Sequence, residues 1–182
     1  MNLPGPPEPG FAWSDPAAAV SSARLVAHIA AEIAQAGGWI SFARYMELAL
    51  YAPGLGYYAG GSAKIGAAGD FVTAPSMSRL FGRCLARQVG EVLAVSAPQV
   101  LEFGAGTGDL AADLLLELGD ACAGYAIVEL SPDLLERQRA TLAKRAPESL
   151  DRVRWLDRLP DSFRGCVVAN EVLDAMPVKL IE

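Results

Sequence analysis

Apolar residues in the first half of the chain recur at helical spacing. Leu25, Ile29 and Ile33 are four positions apart, which places them on one face of a helix, and the Gly37-Gly38 pair ends that pattern. Residues 54–75 are rich in glycine and too long for a routine connection, which favours a functional loop. Two further periodic segments predict helices at residues 42–51 and 76–94.

From residue 99 onwards, short apolar runs alternate with helical segments. Such alternation is typical of an α/β protein whose parallel strands are joined by right-handed crossovers. We therefore expect a Rossmann-like parallel sheet that is truncated after about four strands, because a full doubly wound sheet has more. The predicted strands are residues 99–103, 125–129, 153–156 and 166–169, with helices at 107–118 and from 131.

These patterns divide the chain into three predicted parts. Residues 1–14 read as a flexible arm, and residues 15–97 as an N-terminal helical extension that carries the glycine-rich loop. Residues 98–182 read as a nucleoside-binding half domain, and we expect its C-terminal part to be missing from this sequence.

Composition narrows the function classes. The 182 residues carry a formal net charge of −6 and no run of Lys or Arg, which argues against a nucleic-acid interface. No apolar stretch reaches the roughly 18 residues of a membrane span, and no targeting segment is visible, so we expect a cytoplasmic protein. With one His and three scattered Cys, we expect neither a metal site nor His-dependent nucleophilic catalysis.

The sharpest chemical signal is a glycine turn directly after the first predicted strand. Its residues Gly104, Ala105, Gly106 and Gly108 allow a tight bend and a close approach of the backbone to a ligand. Glu102 precedes the turn, and Asp109 stands where a dinucleotide motif has its third glycine. Acids there suit the cationic sulfonium and ammonium groups of S-adenosylmethionine (SAM) and disfavour the pyrophosphate of NAD.

Residues after the next two strands complete the predicted cofactor site. Glu129 ends the second strand, where a carboxylate can accept hydrogen bonds from both ribose hydroxyls, and Leu130 follows it. Asp157 follows the third strand and can accept from the exocyclic amine of adenine. NAD sites and SAM sites share the ribose acid, so this feature indicates a nucleoside without choosing between the two.

Several motifs outside the glycine turn occur in a fixed order. They are residues 40–46, 49–53, 56–58, 69–75 (GDFVTAP), 81–82, 101–108 and 169–177 (ANEVLDAMP). In these motifs the chain resembles the MidA-like class I SAM-dependent methyltransferases, a family that includes a mitochondrial complex I assembly factor that methylates arginine. The resemblance implies a class I fold with an N-terminal helical extension and SAM as cofactor. It also implies a protein substrate with a methylated arginine, which a subunit of a respiratory complex would supply.

The segment after the fourth strand is the predicted acceptor side of the site. In a class I fold the carboxyl end of that strand faces the methyl group, so Glu171 or Asp174, with Asn170 beside them, is expected to orient a protonated guanidinium. The alternative is that these acids cap a short helix. Asp70 and Phe71 are expected to form a lid over SAM; the alternative is a turn that closes the N-terminal helices.

Other functions stay open at this point. A SAM-binding assembly factor without catalysis would keep the glycine turn and not need Glu171. An NAD-dependent oxidoreductase is disfavoured by Asp109. The sequence leaves the oligomeric state open, with a homodimer as one alternative.

Overall fold

The computed structural model describes residues 16–60 and 74–181, which fall into two compact units. Among the described residues, one unit comprises residues 16–60 with 177–181, and the other comprises residues 74–176. The flexible arm predicted at residues 1–14 lies outside the described residues, and the predicted division into three parts stays a prediction.

The helices are α1 (Pro16–Gln35), α2 (Phe42–Tyr51), α3 (Ala74–Met77), α4 (Arg79–Ala94), α5 (Asp109–Leu118) and α6 (Pro132–Arg145). The strands are β1 (Gln99–Phe103), β2 (Gly124–Val128), β3 (Val153–Leu156) and β4 (Cys166–Ala169).

The first unit is built on the helix pair α1 and α2. Ser41 caps α2, because its side chain accepts a hydrogen bond from the backbone N–H of Arg44. The Arg44 guanidinium also contacts Glu32 of α1 at 2.9 Å, which ties the two helices together. Helix α1 is long and apolar enough, by length and composition, to cross a membrane. Core helices of soluble proteins and signal sequences share that property, so the expected absence of a membrane span stays a prediction.

The second unit contains a parallel sheet with the strand order β3-β2-β1-β4. Strand β1 lies in the middle, with Leu101 opposite Ala126 of β2 on one side and Val167 of β4 on the other. The α/β fold with a four-stranded parallel sheet and helices is therefore confirmed. Because parallel strands share a direction, the loops that follow β1, β2, β3 and β4 all leave the sheet at the same edge.

Helix α4 begins later than the sequence predicts. The pattern predicts one helix from residue 76, whereas the structure has a short helix α3 followed by a break at Ser78. Ser78 is extended, with φ −156° and ψ 130°, and its hydroxyl accepts from the N–H of Leu80. A serine with these angles is an N-cap, so it starts a new helix instead of continuing the old one.

Helix α5 is the centre of the core in the second unit. Leu110, Leu114 and Leu115 are almost completely buried. Asp113 lies among them with only 1% of its surface exposed, and two arginines compensate its charge. Arg145 of α6 pairs with Oδ1 of Asp113, and the Nε of Arg79 lies 3.2 Å from the same oxygen. A buried carboxylate is tolerated only with such partners, so this network fixes α4, α5 and α6 relative to one another.

A second buried carboxylate lies inside the sheet. Glu102 of β1 is 2% exposed, and its Oε2 accepts a hydrogen bond of 2.7 Å from the hydroxyl of Tyr125 on β2. Burial raises the pKa of Glu102 to about 7; the hydrogen bond from Tyr125 opposes this rise and the charge of Glu129 adds to it. The carboxyl of Glu102 is therefore neutral over much of the acidic range.

The packing of α4 on α5 depends on Gly82. A Cβ atom at Gly82 would lie 2.4 Å from the Cβ of Asp113, so Gly82→Ala should lower the free energy of unfolding by about 1–3 kcal/mol. Gly90 in the same helix is the matched control, because a Cβ there meets only the Cδ2 of Leu118 at 3.6 Å. Gly90→Ala should raise stability by roughly 1 kcal/mol through helix propensity. Urea unfolding measures both, and equal effects of the two substitutions would contradict this packing.

The raised pKa of Glu102 predicts a pH dependence of stability. In the unfolded chain the pKa of Glu102 has its ordinary value of 4.5, whereas in the folded chain burial raises this pKa to about 7. Protonated Glu102 therefore makes its full contribution to the stability of the folded chain below pH 4.5, and this contribution is lost as the pH rises through about 7. Glu102→Gln mimics the neutral acid, so its stability relative to the wild type should increase by about 2–3 kcal/mol between pH 5 and pH 8. Urea unfolding at both pH values tests this, and a constant difference would refute it.

Candidate cofactor site

The turn between β1 and α5 has a conformation that requires glycine. Gly104, Gly106 and Gly108 have φ values of +57°, +56° and +85°, which side chains with a Cβ rarely adopt. The N–H of Gly104 donates to the carbonyl of Val128 at 3.1 Å, which ties the turn to the end of β2. A Cβ at Gly108 would lie 3.1 Å from the Cα of Gln138, so glycine also permits the close approach of α6.

Glu129 lies one residue beyond β2 and beside this turn. Its Oε1 accepts from the N–H of Ser131 at 2.8 Å, and its Oε2 accepts from the amide Nε2 of Gln138 at 2.8 Å. Partial burial raises the pKa of Glu129, and the hydrogen bonds from Ser131, Gln138 and Leu130 oppose that rise. The two donors, the N–H of Ser131 and the amide of Gln138, are both neutral, so hydrogen bonds and not an ion pair hold the carboxylate in these two contacts. Each carboxylate oxygen can accept a further hydrogen bond.

A groove of about 670 Å³ opens beside Glu129. Leu130 lines it and is 72% exposed, so its apolar side chain is accessible from the groove. Arg139 lines the other side, with its guanidinium 5.0 Å from the centre of the Trp155 ring. Asp157 follows β3 at the same edge of the sheet and is exposed, but it is not among the residues that line this groove.

Glu102 and Asp109 differ from the sequence-based picture of two acids around the ligand. The carboxyl of Glu102 is enclosed in the sheet and bonded to Tyr125, so a direct contact with a cofactor stays a prediction. The carboxylate of Asp109 pairs with Arg145 and accepts from the hydroxyl of Thr107 at 2.7 Å. Because Arg145 compensates its charge, Asp109 repels a pyrophosphate less than the sequence alone suggests.

The segment after β4 packs against the glycine turn. The Cγ2 of Val172 lies 3.4 Å from the position that a Cβ would take at Gly104. Glu171 is exposed and has a φ of +54°, the only positive φ of a non-glycine residue in the described ranges. The N-cap residue of the 3₁₀ turn Leu173–Ala175 is Val172, and no side chain caps this turn. Neither Glu171 nor Asp174 holds the N-cap position. The alternative that Glu171 or Asp174 caps a helix is therefore not supported.

The remaining predicted residues are placed as follows. Ala105 is buried in the turn, Asn170 is half-buried at the end of β4, and Asp174 is exposed in the first residues of the 3₁₀ turn. Asp70 and Phe71 lie outside the described residues, so the predicted lid stays a prediction. Within residues 16–60 and 74–181, no group of three or more His, Cys, Asp or Glu side chains could hold a metal ion.

Gln138 belongs to this site, and the sequence analysis missed it. Its amide is fully buried and contacts both Glu129 and the carbonyl of Gly106. The available signal is its position, because Gln138 falls between Leu135 and Leu142 on the inward-facing stripe of α6. A buried polar side chain requires hydrogen-bond partners, which here are Glu129 and the carbonyl of Gly106.

Comparison with known proteins gives a consistent result. Residues 82–182, more than half of the chain, match the family Methyltransf_28, which is described as S-adenosyl-L-methionine-dependent methyltransferase. The mitochondrial protein arginine methyltransferase NDUFAF7 of Danio rerio is 32% identical over 200 residues, which cover 93% of this chain and 47% of that protein. Its Homo sapiens counterpart is 34% identical over 170 residues, which cover 78% of this chain and 38% of that protein. The chain thus spans about half the length of these relatives or less.

A solved structure agrees in fold. It is that of a Burkholderia thailandensis protein described as a methyl transferase and bound to S-adenosyl-homocysteine. The two share 54% sequence identity with a TM-score of 0.83 over 92% of this chain and 45% of that one.

The comparison also corrects one expectation. The curated relatives are described as mitochondrial, so the cytoplasmic location expected from the sequence is wrong on this evidence. The composition of the first residues is too weak a signal to decide a compartment. Because the family match covers the glycine turn, Glu129 and the segment after β4, the chain belongs to the MidA-like class I S-adenosylmethionine-dependent methyltransferases.

Proposed function

We propose that the intact protein transfers a methyl group from SAM to an arginine side chain of a protein substrate. The observation that carries the cofactor part of this proposal is Glu129, a carboxylate with two oxygens held by neutral donors at the mouth of an open groove. The family match supports SAM over other nucleosides. Two acceptor oxygens with free capacity match the two hydroxyls of a ribose. The arginine comes from the relatives, which are described as protein arginine methyltransferases. A subunit of a respiratory complex is the finer substrate proposal, and it rests on the family resemblance.

The residues present fit SAM as the cofactor. Glycine at positions 104, 106 and 108 permits the positive φ values that form the tight turn after β1, where a nucleoside cofactor is expected. Leu130 offers an exposed apolar surface to the adenine ring next to Glu129. Asp157 is proposed to accept from the exocyclic amine of adenine. When bound, SAM supplies an electrophilic methyl group on a sulfonium, and the protein's contribution is to align the acceptor with it.

Glu171 is the proposed carboxylate on the acceptor side, in preference to Asp174. A guanidinium has a pKa above about 12, so the substrate arginine is protonated when it binds. A carboxylate is needed to orient the guanidinium and to accept its proton. Glu171 is exposed immediately after β4. Its φ of +54° is unfavourable for a residue with a side chain, and backbone strain of this kind is concentrated at functional sites. Asn170 is proposed to assist through its amide.

Glu129→Gln tests the ribose contact. Hydrogen bonds to a charged group contribute about 1.5–3 kcal/mol, so the substitution should weaken S-adenosylhomocysteine binding roughly 10- to 100-fold in calorimetry. Glu136→Gln is the matched control, because this exposed acid lines the same groove on α6. It should change the affinity little. An unchanged affinity in Glu129→Gln, or equal losses in both variants, would remove Glu129 from the site.

Glu171→Gln tests the acceptor role in the full-length protein. Loss of a general base typically lowers the rate about 10²- to 10⁴-fold, and we expect such a fall in kcat with an unchanged affinity for S-adenosylhomocysteine. Asp174→Asn is the comparison, because Asp174 lies three residues away and is also exposed. Methyl transfer to a protein substrate, followed with labelled SAM, measures both. Normal turnover in Glu171→Gln would assign the proton to another group.

A further inference from the structure

Gln138 connects three parts of the candidate cofactor site. From α6, its Nε2 donates to Oε2 of Glu129 at 2.8 Å and to the carbonyl of Gly106 at 3.1 Å. Its Oε1 accepts from the indole Nε1 of Trp155 on β3 at 3.0 Å. One side chain therefore bridges the glycine turn after β1, the acid after β2 and the strand β3.

The chemistry of its partners determines which way this amide points. An indole N–H can only donate, so the carbonyl oxygen of Gln138 must face Trp155. Glu129 as a carboxylate and the Gly106 carbonyl can only accept, so the NH₂ group must face them. The side chain of Gln138 is fully buried, which limits competition from water at its amide. A flipped amide would lose all three hydrogen bonds, which makes this orientation the only favourable one.

We propose that Gln138 is the positioning residue of the ribose site. It fixes the Glu129 carboxylate in one rotamer, and the N–H of Ser131 holds the other oxygen, so that the remaining lone pairs face a vicinal diol. Trp155 acts one step further out by orienting the amide of Gln138. The inference rests on the proposed function, because it assumes that Glu129 binds ribose.

The backbone supports this role. A Cβ at Gly108 would lie 3.1 Å from the Cα of Gln138, a tighter contact than most Cβ atoms make, so glycine permits this close approach of α6 to the turn. Gln138 thus has a fixed distance to both the turn and Glu129. A longer separation would leave its amide short of the Gly106 carbonyl.

The test compares two ligands, S-adenosylhomocysteine and its analogue that lacks both ribose hydroxyls. Gln138→Met keeps the length of the side chain and removes its hydrogen bonds. Loss of a hydrogen bond to a charged group corresponds to roughly a 10- to 100-fold change, and we expect a fall in affinity of this size for S-adenosylhomocysteine alone. The analogue should bind the wild type and Gln138→Met equally. Calorimetry measures both, and thermal unfolding confirms that each variant is folded.

Two further variants keep the proposal falsifiable if Gln138→Met does not fold. Trp155→Phe leaves Gln138 in place and removes only the donor that orients it, so part of the preference for the ribose hydroxyls should be lost. In the double variant Glu129→Gln with Gln138→Met, the loss should be no larger than in Glu129→Gln alone, because both changes act on one contact.

The outcomes separate this inference from the proposed function. Equal weakening of both ligands in Gln138→Met, or additive losses in the double variant, would show that Gln138 is merely structural. A preference for the ribose hydroxyls that disappears in Glu129→Gln but persists in Gln138→Met and Trp155→Phe overturns this inference alone. A wild-type protein that binds the two ligands equally overturns the ribose contact itself, and the inference with it.

Discussion

The close approach of α6 to the glycine turn is the constraint on which the candidate site depends. Gly108 permits this approach because it has no Cβ, and its φ of +85° lets the chain enter α5 at the required angle. The approach brings the amide of Gln138 within hydrogen-bond distance of both Gly106 and Glu129. The glycine turn and the orienting contact of the acid are therefore linked through one side chain.

Three acidic residues near the turn are accommodated by three different physical means. Glu102 is enclosed in the sheet, where burial raises its pKa to about 7 and Tyr125 satisfies one of its oxygens. Asp109 forms an ion pair with Arg145. Glu129 is held by neutral hydrogen-bond donors at the mouth of a groove, which leaves its charge available to a ligand. Three carboxylates in a short stretch thus carry different roles because their surroundings differ.

The sequence predicts those features that depend on local patterns. The four strands, the glycine turn and the acid after β2 follow from runs of apolar residues and from the residues that bound them. The break between α3 and α4 does not, because it depends on the backbone angles of a single serine, Ser78. The pairing of Asp109 with Arg145 spans 36 positions, and the contact of Gln138 with Gly106 spans 32. Such partners are identified only when the helices are packed on the sheet.

The strand order places the proposed cofactor residues and the proposed acceptor residue on opposite sides of β1. With the order β3-β2-β1-β4, the glycine turn leaves the centre of the sheet, Glu129 lies on the β2 side and Glu171 lies on the β4 side. The two sides meet where Val172 packs on Gly104. Because Gln138, Trp155 and the groove all lie on the β2 and β3 side, they can shape nucleoside affinity without touching the acceptor. A change on the β4 side is expected to act on the proposed acceptor residue Glu171, and it reaches the glycine turn through the contact of Val172 with Gly104 and the pairing of β4 with β1.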